Sequence, residues 1–585
     1  MSTALEAASL IMIPTSYSDG LLASAKPNDG AGDFTFTRGS NLSATRVNAD
    51  GYIEKGYENL LLQSNSFDTN PPWGNTSISF ASGQSGYDGS SDAWIIERVG
   101  VNGHIRQTPP LGNVSTFSIY VKANTLNWVR IRTDSVQNAY FNLDPTFIGN
   151  RIGYTQNVID ATITDIGNGW FRCTATAIGY TRFYVYPAVD NQDTSGTSGS
   201  IYIQDAMINQ GMVAHPYIET TTAPVAAGIL EDTPRIDFSG GNQSLLLEPS
   251  RTNEFSHSEY LGEPNSQAYN VTIAANAAIS PEGLNNAYSL ISNTGANEHF
   301  LGMYWYGAAS GGTETFSVYA KANGYDWLYL RTNTGSWSTA HANFNLATGE
   351  KGLIGSGLNS SSIVDMGNGW YRCSITYSNR AVSARLQITS RPSEGASSVF
   401  TADGTSGAYI YGAQLEEASY PTSYIPTYGV SQTRLGEGAS YSGFSSLIGQ
   451  TEGTLFLDIE NSSDGTEIFS LNRSIVNSIF LLGSGGVYRA FIYADGTTIS
   501  QVTSINVSDR IKIAIAYQSN NWAIYANGLQ VYTNNTQTWT PNVAIDLINF
   551  NTGGYAASKG AVRYNQVSII PIALSDEACI ELTTI

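Results

Sequence analysis

The nine residues DIGNGWFRC, Asp165 to Cys173, return as DMGNGWYRC, Asp365 to Cys373, so the chain must adopt a fold that can be built twice. The two differences, Ile166 against Met366 and Phe171 against Tyr371, keep the side chains' character. Asn-Gly is a strong hairpin signal because both residues tolerate positive φ, and here it precedes an aromatic-Arg-Cys strand. Trp170 and Trp370, directly after the turn, are expected as buried plugs, each costing about 3–5 kcal/mol to truncate. Contact with a ligand is the alternative for them.

Other landmarks recur in the same order. FSIYVKAN at Phe117 matches FSVYAKAN at Phe316, Trp128 matches Trp327, IEKGYEN at Ile53 matches LEPSRTN at Leu247, and Ser64 matches Ser258. GTSG at Gly196 and at Gly404 leads into IYIQDAMI and YIYGAQLE. Separations that drift gradually along a segment are the mark of a duplicated domain with altered loops. Each copy has the size of an ordinary β-sandwich, and 585 residues allow about three or four domains.

The local patterns are those of strands. FSIYVKA places Phe117, Ile119 and Val121 on one face and Ser118, Tyr120 and Lys122 on the other. From about Gly436, short strands such as GTLFLDIE, RIKIAIAYQ and NWAIYANGLQVYT follow at intervals of roughly ten residues, as in an antiparallel sandwich. The tail adds a helical turn capped by Ser575, with Asp576 and Glu577 in its first turn. TTTAPVAAG near Pro224 reads as a linker, and the prolines of SYPTSYIPTYG suggest a strap along a sheet edge.

Residues 1–50 hold too little apolar material for a core. They are expected to dock elsewhere as an attachment segment, or to lie along the first sandwich as an extra strand. The expected architecture is all-β: three antiparallel, jelly-roll-like β-sandwich domains in tandem, at 51–225, 226–435 and 436–585, behind a short N-terminal attachment segment at 1–50.

Composition narrows the partners. A net charge of −20 with no cluster of Lys or Arg argues against nucleic acid, leaving neutral glycans or cationic proteins. Cys173, Cys373 and Cys579 make no disulfide framework and read as small buried apolar residues, which suits synthesis in a reducing cytoplasm. The start MSTALEAASLIMIP resembles neither a secretory signal nor a membrane anchor, so membrane insertion is not expected.

Chemistry is sparse. His104, His215, His257, His299 and His341 are scattered without a metal-ligand motif, and no nucleophile elbow or phosphate loop is present. A glycan hydrolase would need two carboxylates about 5–9.5 Å apart. Asp165 and Asp365 instead precede Gly-Asn-Gly turns, where a carboxylate caps backbone N–H groups. Asp190 and Asp193 in VDNQDTSG read as a solvated loop, with Ca²⁺ as the alternative. No catalytic, metal or cofactor residues are expected. Sugar platforms need exposed aromatics, and the candidates are Trp73, Tyr304, Trp305, Tyr306 and Trp337, which have no aromatic counterpart in the other repeat. Alternation should place Tyr304 and Tyr306 on one face and Trp305 on the other.

Taken together, LLLEPSRTN, FSVYAKA, GNGWYRC and YIYGAQLE resemble the carbohydrate-binding-module-like jelly-roll domains of bacteriophage spike and fibre proteins, including head spike fibres. The likeness covers about residues 51–435. The C-terminal part, through KIAIAYQSNNWAIYANG and ALSDEACIELTT, is similar to laminin-G or concanavalin-A-like sandwiches. DFTFTRGSNLSATRV is of a kind found at the front of such phage proteins.

The resemblance implies a non-enzymatic virion surface protein, a head or tail fibre or spike component made in the host cytoplasm. It would be joined to capsid or tail proteins through its N-terminal segment and would display its modules to host-surface or environmental glycans. Fibres of this class favour a homotrimer. The alternative is a polysaccharide depolymerase or glycan hydrolase on the virion surface. GYIEKGYEN against LLLEPSRTN, and VYPAVDNQD against QITSRPSEG, imply that the two repeats need not share a ligand.

Overall fold

Strand alternation turns Ile119, Val121, Cys173 and Ile203 to the inner side of one sheet and Val129, Ile131 and Val185 to the inner side of another, and the first repeat closes by facing the two. In this computed structural model the described residues are 3–585 apart from 111–113, 135, 194, 263–265, 307–309, 333–339, 381–382, 396, 398, 461–465, 472–477, 485–486, 495–496, 507–509, 537–543 and 551–559. The chain is nearly all-β, built from antiparallel sheets in sandwich arrangements. The C-terminal helix Asp576–Thr583 is capped as expected, Ser575 Oγ accepting from Ala578 N at 3.3 Å. No helix among the described residues is long and apolar enough to cross a membrane.

The repeats share one topology. In the first, one six-stranded sheet runs Asp160–Gly167, Trp170–Ile178, Val114–Ala123, Gly199–Gln210, Ala93–Arg98, Ile78–Gln84. In the second, the matching sheet runs Ser360–Asp365, Tyr371–Arg380, Ser310–Asn323, Gly407–Glu416, Ala287–Ser292, Val271–Ala278. The opposing sheets also correspond strand for strand, centred on Trp128–Thr133 beside Phe183–Ala188 and on Trp327–Thr332 beside Ser383–Arg391.

The buried polar frame is repeated too. Asn59 Nδ2 donates to Ala206 O and Ile218 O, as Asn253 Nδ2 does to Ala413 O and Ile425 O. Ser64 meets the Tyr217 hydroxyl at 2.7 Å, as Ser258 meets that of Tyr424 at 2.6 Å. A buried polar group left unpaired is costly, so each module keeps the complete set.

The paired indoles are buried, Trp170 at 1% and Trp370 at 2% exposure, but not between the sheets. Phe171, Cys173 and Ala175 face the first repeat's inner core, so the two-residue period turns Trp170 outward. It packs there with Tyr120, Tyr87, Tyr202 and Tyr217, and Trp370 packs likewise with Tyr319, Tyr411 and Tyr424. The strap expected along an edge instead crosses this outer face. Arg172 donates to His215 O and Arg372 to Thr422 O, which fastens the strap in each repeat.

The third sandwich corrects the expected division of the chain. Leu10–Met12 pairs with Val562–Ile570, and Phe34–Thr37 pairs with Gly438–Ser442. Ser244–Leu247, expected as the arm of the second repeat, also joins Val562–Ile570. Leu10, Met12, Leu22, Phe34, Phe36, Leu245 and Leu247 share one core with Ile513, Trp522 and Phe550. Residues 10–37 therefore belong to the third sandwich and are not an extra strand of the first. Their alternating apolar residues are too few for a core alone and are buried by completing another.

A buried charge network holds the segments together where they cross. Arg235 Nε donates to Glu437 Oε1 at 2.7 Å and its Nη2 to Glu248 Oε2 at 2.9 Å. Arg38 Nη1 reaches Glu437 Oε1 at 2.9 Å, and Arg434 Nη1 lies 3.0 Å from Glu248 Oε2. The three arginines and Glu437 have side-chain exposures of 0%, and Glu248 has 4%. A second buried cluster joins the repeats: Lys55 Nζ lies 2.6 Å from Glu259 and 2.7 Å from Glu282.

Burial alone would raise the carboxyl pKa values of Glu437 and Glu248, but the surrounding arginines win and hold both below the ordinary range. A carboxylate with a depressed folded-state pKa adds stability above its unfolded value of about 4.3 and loses it as pH falls toward the folded value. The urea midpoint of unfolding should therefore fall progressively as the pH drops below that value. Glu437→Gln should cost about 3–5 kcal/mol at neutral pH, because it strands buried guanidiniums.

Candidate functional site

Of the expected platforms, Trp73 is corrected: it is 1% exposed, its Nε1 donates to Gln63 O at 2.8 Å, and it is flanked by Phe67 and Phe183. An aromatic unmatched in the other repeat can fill a space that only one repeat has, and Trp73 does so beneath Leu60 and Leu61. Tyr304 is half-buried on an outer sheet face, with its hydroxyl on Gln267 and the Arg385 guanidinium over Phe300 beside it. Trp305 and Tyr306 pair through their backbones with Ala384 and Ser383, while their side chains lie outside the described residues. Trp337 lies outside the described residues altogether.

The carboxylates take up local roles. Gly167 N donates to Asp165 Oδ1 at 2.8 Å and Gly367 N to Asp365 Oδ1 at 2.7 Å, with Asn168 and Asn368 both at φ +54°. Asp193 accepts from the backbone of Val189, Ser195 and Gly196 and from Arg98. Among the described residues, no group of three or more His, Cys, Asp or Glu side chains could hold a metal. The three cysteines are buried and free.

Asp205 was not anticipated. It sits at φ +51° in a bulge where the second repeat has Gly412 at φ +61°, and its Oδ2 accepts from the Tyr87 hydroxyl at 2.9 Å. Burial, with Asp92 and Asp88 nearby, outweighs that hydrogen bond and pushes its carboxyl up to about 7. Gln204 Nε2 bridges Asp88 and Asp92 at 3.1 and 2.8 Å, which uses the local acceptors internally.

The most distinctive surface was also not anticipated. In WVRIRT, Val129 and Ile131 face the core, so Trp128, Arg130 and Arg132 face outward. Tyr184 and Tyr186 alternate outward on one neighbouring strand, and Asn138 and Tyr140 on the other. Arg130 lies over the rings of Tyr140 and Tyr186, at 5.3 and 5.0 Å, and is fixed by Asn138 Oδ1, which accepts from its Nε and Nη2 at 2.9 and 2.6 Å. Arg132 lies over Tyr184 at 5.7 Å. His104 packs against Tyr184 and Tyr186, with Arg106 Nη1 at 3.1 Å from its Nε2.

Tyr140, Tyr186 and His104 are buried at 2%, 6% and 8% exposure, partly beneath the arginines, so the face offers the half-buried rings of Tyr184 and Trp128 beside fixed guanidinium donors, a combination that takes up a sugar ring and its hydroxyls. The alternation in WVRIRT and RFYVYP already places these side chains on one outward face.

The corresponding face of the second repeat is different. Tyr329 replaces Arg130, and Arg331 is paired with Glu298 at 2.8 Å and with Gln387 at 2.6 Å. Only the edge is kept: Trp128 reaches to Gly153 and Trp327 to Gly352, where an added Cβ would come within 2.8 and 2.5 Å of the ring.

No protein-family model and no curated protein sequence matches the chain. Among solved structures, the chain is similar to domain 4 of AbnA, a GH43 extracellular arabinanase from Geobacillus stearothermophilus, at 15% identity and TM-score 0.20, over 26% of this chain and 73% of that one. It is similar to a GH54 α-L-arabinofuranosidase at 11% identity and TM-score 0.21, over 46% of this chain and 61%, less than two thirds, of that one. Trypanosoma rangeli sialidase follows at 10% identity and TM-score 0.19, over 94% of this chain and 97% of that one. At such scores these likenesses carry no argument about function.

Burial, then the charges of Arg106, Arg132 and Arg130, holds the His104 imidazole below its ordinary pKa. An NMR titration of its Cε1 proton should place its midpoint below about 6.5, and Arg132→Gln should move that midpoint upward.

Proposed function

We propose that the chain is a non-enzymatic structural protein of a bacteriophage particle, a head or tail fibre or spike component that displays its tandem modules to glycans of the host surface or its surroundings. The observation that carries the glycan part is the tyrosine–arginine face around Arg130, with aromatic rings and fixed donors on one sheet. The particle part rests on the resemblance of the repeats to phage spike and fibre domains. A duplicated module that keeps its frame and changes its outer face suits display, because the face can vary without disturbing the fold.

Attachment to capsid or tail is part of the same reading. Since residues 10–37 are built into the third sandwich, docking would use the surface of that sandwich rather than a free arm. A homotrimer is the assembly proposed, as in other fibres.

Imaging of purified particles with an antibody to this chain should label projections on the surface, and unlabelled particles would remove the particle reading. In glycan binding by the purified chain, Tyr184→Ala should weaken affinity about tenfold, near 1.4 kcal/mol, with little loss of stability. Release of reducing ends from host capsule by the purified chain would favour a depolymerase instead.

A further inference from the structure

We infer that the outer face of the first repeat recognises a sugar bearing a carboxylate, a sialic or uronic acid unit, rather than a neutral one; this rests on the glycan-binding reading above. The argument begins from how the other arginines are used. Arg38, Arg46, Arg98, Arg235, Arg331, Arg434, Arg510 and Arg563 each have a carboxylate partner. Arg151, Arg172, Arg251, Arg372 and Arg391 have none but donate to backbone carbonyls. The side chains of Arg106, Arg130, Arg132 and Arg182, by contrast, have neither a carboxylate nor a backbone carbonyl among the described residues and rest on neutral side chains, although the chain carries a net charge of −20. All four belong to this one face.

Their contacts are with neutral groups. Arg106 donates to Thr76 Oγ1 at 3.1 Å, Arg182 to Thr108 Oγ1 at 3.1 Å and to the Tyr184 hydroxyl at 3.4 Å, and Arg132 only to the Tyr186 hydroxyl at 3.4 Å. Arg130 spends Nε and Nη2 on Asn138, and its Nη1 has no hydrogen-bond partner among the described residues. The Nε of Arg132 is buried without an acceptor.

A guanidinium presents planar, paired donors that match a carboxylate bidentately, and hydrogen bonds to a charged acceptor are about twice as strong as neutral ones. Held between Tyr140 and Tyr186, Arg130 is ordered before any ligand arrives, so little entropy is lost on binding. The half-buried Tyr184 ring would take the apolar side of the same sugar.

A long polyanion fits this surface poorly, because a ligand extending past the patch meets a chain dominated by acidic residues. An isolated carboxylate on a sugar needs only the patch. The second repeat differs at these positions: Tyr329 stands for Arg130, and Arg331, which stands for Arg132, is paired with Glu298.

Calorimetric titration of the full chain with 3′-sialyllactose, trigalacturonate and lactose tests the inference. At least one acidic sugar should bind about tenfold or more tighter than lactose, with the advantage shrinking as salt is raised. The double substitution Arg130→Gln with Arg132→Gln should abolish that advantage, leaving the acidic sugars no tighter than lactose measured on the same variant. These two side chains are half-buried, so Arg182→Gln gives an independent reading at the margin of the face and should lose part of the preference without loss of folding. Equal affinity for lactose and both acidic sugars, or a preference that survives the double substitution in folded protein, would overturn the inference and leave glycan binding standing. Failure of all three sugars to bind, with heparin or DNA bound instead, would overturn the inference and the glycan reading with it.

Discussion

Three arginines and two glutamates buried together at the crossing of the chain set the terms for the rest of the molecule. Taking five charges out of water costs several kcal/mol per ion, and mutual attraction repays that only with good geometry and full hydrogen bonding. Backbone carbonyls take up several of the donors, Arg235 donating to Thr45 O at 2.9 Å, Arg38 to Thr233 O at 3.0 Å and Arg434 to Pro249 O at 2.9 Å, while the Nε groups of Arg38 and Arg434 are buried without an acceptor. These partners come from the N-terminal strands, both connecting arms and the start of the C-terminal sandwich. Displacing any one segment strands the charges of the others. The network thus selects one arrangement of the three sandwiches more than it adds net stability.

Around that centre the two repeats show how a module separates frame from surface. Asn59 and Asn253, Ser64 and Ser258, and Arg172 and Arg372 perform the same tasks in each copy. Each is buried or tied to a strap, so a change would leave a polar group unpaired. The outward positions carry no such penalty. Arg130 and Tyr329 occupy one position and Asp205 and Gly412 another, and the sheets beneath are unchanged. Asp205 is the more demanding exchange, because a non-glycine residue at positive φ is strained by about 1 kcal/mol and its carboxyl is kept from water.

Much of this was legible from residues alone. The GNGW turn, the two-residue alternation of FSIYVKA, the Ser575 cap and the matching order of landmarks all act locally, and local signals give the class of fold and its duplication. What was missed depends on distance. Nothing in DFTFTRG says that its partner is Gly438–Ser442, since any edge strand with a matching face would satisfy it. Trp170 was expected inside because it is large and apolar, yet alternation with Phe171 and Cys173 already turned it outward, and the strap that covers it lies more than forty residues away. For the site, unmatched aromatics were a poor guide, as Trp73 shows. The proposed site rests instead on outward arginines, whose partners are visible only in three dimensions.

The third sandwich has a further consequence for how the chain comes into being. Ser9 N bonds to Ile569 O across nearly the whole length of the polypeptide, and Phe34–Thr37 waits for Gly438–Ser442. At ribosomal speeds of about 5–20 residues per second, roughly 400 intervening residues mean a delay of about 20–80 s during which the first strands have no lasting partner. The two middle modules can condense as they emerge, whereas residues 10–37 stay exposed to proteases and chaperones until their partner strands are made. Completion of that sandwich therefore waits on the synthesis of residues 438–570.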